Sequence, residues 1–146
     1  MRTFGLALSV CLTLIGVAPA AVAADADVLQ GFGMLGRIAV DCGAPYSPSN
    51  PHQIYAISPM GGVTRTLKID DNFNAALPLR NLRMLTPDLL QFEEIGRALP
   101  LTVSIVKIDG KFRNWQSTQA NGITLIADGK FADRGKSTIT FKFCGN

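Results

Sequence analysis

"STITFKFCGN", residues 137–146, is the stretch on which the fold turns. Ile139, Phe141 and Phe143 alternate with Thr138, Thr140 and Lys142. Successive side chains of a strand point to opposite faces, so this is a strand with one apolar side, and a cysteine closes it. The same period recurs upstream. "VTRTLKID" (63–70) sets Val63, Leu67 and Ile69 on one face, with Arg65 sharing their parity. "GRIAVDC" (36–42) does so with Ile38, Val40 and Cys42. "LTVSIVKID" (101–109) alternates as far as Ile105, then shifts phase to Val106 and Ile108, as a β-bulge would produce.

Turn chemistry separates these runs. Gly61-Gly62, Asp109-Gly110, Asn121-Gly122 and Asp128-Gly129 fall between them. Asn-Gly and Asp-Gly readily supply the positive φ angles of two-residue hairpin turns. Pro51, Pro59, Pro78, Pro87 and Pro100 sit at segment edges, where a missing N–H does least harm. About eight strands result: 36–42, 53–58, 63–70, 77–85, 88–95, 101–109, 111–118 with 122–127, and 137–143. The expected fold is all-β, one antiparallel meander closed or nearly closed into a small barrel, with a β-sandwich as the alternative. Residues 25–34 are expected to form a short helix or an irregular lead-in.

The chain opens "MRTFGLALSVCLTLIGVAPAAVAADAD". Arg2, an apolar run from Phe4 to Val17 and a small-residue end form the three parts of a secretory signal peptide. The run is too short to span a membrane. We therefore expect a signal peptide over residues 1–24, cleavage near Ala23-Ala24, a single domain over 25–146 with no membrane span, and a periplasmic or secreted location. Without Arg2 the chain keeps 13 basic against 11 acidic side chains. Such a weak, unclustered charge argues against a nucleic-acid surface.

Cys11 departs with the leader, leaving Cys42 and Cys144. In an oxidising compartment two cysteines are most simply one disulfide. One stands at the end of the first strand and the other at the end of the last, and a closed barrel makes those strands neighbours. This takes Cys42 away from His52, the sole histidine, and leaves neither a nucleophile with its base nor a metal site. His52 then reads as an exposed loop residue. No G-x-S-x-G occurs, and Glu93-Glu94, adjacent on a strand, point to opposite faces. No enzyme activity, metal or cofactor is expected.

The candidate ligand residues are Tyr46, Tyr55, Arg65 and Trp115. Tyr46 and Tyr55 flank a loop stiffened by Pro45, Pro48 and Pro51. Arg65 is an inward arginine, which needs a partner such as Glu93 or Asp70, or an anionic ligand group. Trp115 belongs to core or barrel-end packing, or to an outward face with Lys111 and Arg113.

"GRI" at Gly36–Ile38, opening the first strand about ten residues into the mature chain, resembles the Gly-x-Trp step of lipocalin-like (calycin) barrels, with Ile38 in the Trp position. The chain also resembles small uncharacterised exported proteins of alphaproteobacteria, through Gly36–Cys42, Pro45–His52 and Leu85–Asp88. The leading expectation is a periplasmic binding module for a small, partly apolar or anionic ligand held in the barrel mouth. The alternative is an envelope protein-interaction or hydrolase-inhibitor-like protein that uses loop 43–52. An open apolar interior would favour the first, and a filled core with a protruding loop the second.

Overall fold

The computed structural model describes residues 20–59 and 61–146. Most of the expected leader therefore lies outside the described residues. A helix, α1 (Ala20–Phe32), leads into β1 (Gly36–Ala39). The strands β2 (His52–Ile57), β3 (Val63–Asp70), β4 (Phe73–Thr86), β5 (Leu89–Glu94), β6 (Leu101–Ile108) and β7 (Lys111–Gln119) follow as a meander. The short β8 (Thr124–Ala127) and β9 (Lys130–Phe131) precede the last strand, β10 (Thr140–Gly145). β10 pairs with both β1 and β7, so β1 to β7 and β10 close an eight-stranded antiparallel barrel. The sandwich alternative is excluded.

The hairpins form where the turn residues demand it. Asp109-Gly110 and Asp128-Gly129 both have two consecutive residues at positive φ, as a two-residue turn with the strands' own twist requires. Gly36 has φ 132°, and a Cβ there would stand 2.8 Å from the Gly145 carbonyl oxygen. A glycine is needed where the first strand meets the last.

Three details differ from the sequence reading. β1 ends at Ala39, so Cys42 lies in the following loop and not on the strand. The phase slip near Ile105 belongs to the neighbouring strand. Ser104 faces Gln116 and Ile105 faces Asn114, which leaves Trp115 as the extra residue of a bulge on β7. β6 keeps its inward parity, and Ile108 is exposed. Residues 124–127 are not a barrel strand: β8 and β9 form a hairpin outside the closed ring.

The barrel is filled from one end only. Leu29 and Phe32 of α1, with Met34, pack into it beside Ile38, Leu82, Leu90, Ile105 and Phe112. Phe32 stacks at a tilt on Phe112, and Lys107 lays its ammonium over the Phe32 ring and donates to the Phe32 carbonyl. Asp25 accepts from the Leu82 amide, which fixes the helix to the bulge in β4. No helix among the described residues is long and apolar enough to cross a membrane.

Cys42 and Cys144 are joined, with Cα atoms 5.4 Å apart and a separation of 102 positions in sequence. Cys144 is skipped by the ladder, where Arg37 faces Gly145 and Ile38 faces Phe143. Its sulfur is thus free of the strand register and meets the chain turning back after β1. Closing a loop of this length stabilises by about 4–5 kcal/mol in the chain-entropy model. The double variant Cys42→Ser/Cys144→Ser should therefore lose several kcal/mol in urea unfolding. A loss below about 1 kcal/mol would show that the barrel closes without the bridge.

Candidate functional site

The other end of the barrel is hollow. Beyond the Thr140–Arg113 and Phe141–Phe112 pairs, β7 leaves β10 and takes β8 as its partner through Ser117–Ile126 and Thr118–Thr124. The two strands diverge, and a cavity of about 770 Å³ opens between them. Leu67, Ile69, Leu101, Val103, Ile126 and Phe141 form its walls. The β8–β9 hairpin covers one side. Arg113 holds that hairpin, donating through Nη2 to the Gly129 carbonyl and through Nε to Thr138 Oγ1. Thr138 in turn donates to the Asn114 carbonyl at 2.8 Å.

Charge is concentrated at the floor. The inward parity of β3 carries Arg65 into the cavity lining, with 4% of its surface exposed. Its Nη2 is paired with Glu94 Oε2. Arg97, at the turn after β5, pairs through Nε with the other oxygen, Oε1. Glu94 itself is 0% exposed. The Arg65 guanidinium carbon lies 5.8 Å from the centre of the Phe92 ring. Among the described residues, Arg65 Nε and Nη1 have no hydrogen-bond partner. Tyr55 faces Arg65 across the β2–β3 ladder and donates to Gln53 Oε1 at 2.9 Å. Burial raises its phenol pKa, opposed by the positive charge of Arg65, so it stays neutral.

Glu94, and not Glu93 or Asp70, is thus the partner of Arg65. Glu93 lies on the outer face, paired with Arg80. The signal was present in "LLQFEE", because Leu90 and Phe92 alternate inward and Glu94 continues their parity.

The four candidate residues separate. Arg65 lines the cavity, and Tyr55 is buried beside it. Tyr46 lies on the outer side of its loop, donating to Asp71 Oδ1 at 3.0 Å. Trp115 is half-buried on the bulge, its carbonyl accepting from the Gly129 amide at 2.8 Å. Neither Tyr46 nor Trp115 lines the cavity.

Loop 43–52 does not protrude freely. The buried Asn50 holds its Nδ2, with two protons to share, within hydrogen-bond distance of the carbonyls of Asp41, Ala44 and Pro45, and its Oδ1 accepts from the Asp41 amide. Prolines alone did not reveal this tie. His52 is buried at the start of β2, contrary to the expected exposed position. Its Nε2 lies 3.3 Å from Asn50 Nδ2. Tyr46 stands edge-on to its ring. Burial, then the charge of Arg37, lowers its pKa below the ordinary 6.5. No group of three or more potential metal ligands occurs among the described residues.

Comparison with protein-family models, with curated proteins and with solved structures finds no match.

Two outcomes follow from this geometry. Removing one member of a buried ion pair strands the other, so Glu94→Ala should cost about 3–5 kcal/mol in urea unfolding. Arg65→Leu/Glu94→Leu together should cost less than Glu94→Ala alone; an additive loss would contradict the coupling. For His52, the folded pKa lies below the unfolded one, so its contribution is complete above pH 6.5 and falls away as the pH drops below it. His52→Gln should flatten the acid side of a Tm-against-pH curve; an unchanged curve would exclude this role.

Proposed function

We propose that this chain is a binding module for a small, partly apolar ligand, working outside the cytoplasm once its leader is removed. The observation that carries the reading is the half-hollow barrel, an apolar-walled space of about 770 Å³ with an arginine at its floor. A protein of this size gains most from filling its core, so an unfilled half is a cost that a ligand would offset. The volume falls in the range of small-molecule sites. Exposed Ile123, Leu125 and Ile139 extend the apolar wall to the rim, which suits an apolar body entering there. The disulfide accords with an oxidising compartment, and the apolar start of the chain with export. The likeness of Gly36–Ile38 to the lipocalin opening points the same way. Loop 43–52, folded back on Asn50, gives no comparable support to an inhibitor.

The test is to fill the space. Leu67 is half-buried and lines the cavity, so Leu67→Trp occupies it while leaving both members of the ion pair in the sequence. Wild-type protein should enhance the fluorescence of 1-anilinonaphthalene-8-sulfonate, whose rings are apolar and whose sulfonate is anionic. The variant, with an unchanged circular dichroism spectrum, should bind it at least about tenfold more weakly. Equal binding by a folded Leu67→Trp would overturn the cavity reading.

A further inference from the structure

We propose that the site selects amphiphiles whose head carries one negative charge, as an ionised carboxylic acid does, and that Glu94 and Arg97 set this count. The inference rests on the cavity reading above and deepens it. Arg65, Glu94 and Arg97 are the formally charged groups joined at the floor, two positive and one negative. Tyr55 and Gln53 beside them are neutral. This cluster therefore carries one excess positive charge at the base of an apolar space, because Asp133, the other charged residue of the lining, is exposed and paired with Arg134; such an excess is costly to keep without a counter-charge.

The division of labour is visible in the contacts. Glu94 stands behind Arg65, outside the cavity lining, and occupies Nη2. This fixes Arg65 at the cavity wall, with Nε and Nη1 buried and without a partner. Arg97 lines the cavity with 35% of its side chain exposed, so it stands nearer the solvent on the same carboxylate. A carboxylate head against Arg65 brings the cluster to neutrality. A neutral alcohol leaves the excess charge in place, and a doubly charged phosphate monoester overshoots it. The arrangement places the head at the floor and the chain along Leu67, Ile69, Val103 and Phe141, toward the rim at Ile123 and Ile139.

The experiment is calorimetric titration of the intact, oxidised protein with decanoate, decan-1-ol and decyl phosphate, at a pH where the phosphate is dianionic. Decanoate should bind about tenfold or more tightly than decan-1-ol, the scale of one hydrogen bond to a charged group, and more tightly than decyl phosphate. Arg97→Gln, which leaves the Arg65–Glu94 pair neutral, should bring decanoate and decan-1-ol close together. Glu94→Gln, where it folds, should shift the preference toward decyl phosphate; the wild-type series and Arg97→Gln decide the matter if it does not. Equal binding of decanoate and decan-1-ol would overturn the charge selection while leaving the cavity reading intact. Decyl phosphate binding as tightly as decanoate would overturn the single-charge count. A folded wild-type protein that takes up none of the three would overturn both readings.

Discussion

The pairing of Glu94 with Arg65 inside the barrel is the constraint on which the rest depends. A carboxylate with no exposed surface must be matched by a charge held equally deep, and β3 supplies it from the opposite side of the Leu77–Leu79 stretch of β4. Two charged side chains at mid-barrel interrupt the apolar filling, and beyond them the core continues only along the wall, through Leu101, Val103 and Phe141. Above them α1 packs Leu29 and Phe32 into a dense half-core. Below them the walls stay apolar but nothing fills the space. The ion pair thus acts as a floor, and it contributes little net stability, because desolvating two charges offsets most of their attraction.

The mouth has a separate cause. A barrel whose strands all paired along their full length would open only at its ends. Here β7 is shared, its first half bonded to β10 and its second to β8. The bulge at Trp115 lies between the two regimes, where an extra residue bends the strand and increases its twist. Arg113 and Thr138 then hold the displaced hairpin in place through its backbone carbonyl at Gly129. Lined by exposed isoleucines and one leucine, the opening leads from solvent to Arg65.

Much of this was legible from residue order. Alternation fixed the strand around Arg65 and its inward parity, and the Asp-Gly pairs marked two hairpins that the backbone adopts. The cysteine pairing followed from closure of the sheet, which makes the first and last strands neighbours. What escaped depended on register between strands distant in sequence. Nothing local says that Glu94 reaches Arg65 across β4. Trp115 lies on a bulge that only the pairing with β6 defines, so residue order alone places the slip on the wrong strand. Asn50 gathers its loop through carbonyls six and nine residues back, while the eye goes to the prolines. The helix expected within 25–34 begins earlier, at Ala20, inside the small-residue stretch that reads as the end of a leader.

The most direct measurement is the nuclear magnetic resonance of the Arg65 Nε–H group, assigned through its loss in Arg65→Lys. If Arg65 is the floor of a ligand site, adding decanoate should shift this resonance and slow its exchange with water, while decan-1-ol leaves it nearly unmoved. A protein that binds decanoate with the Arg65 Nε–H signal unchanged would contradict the account, because the ligand would then lie elsewhere on the molecule.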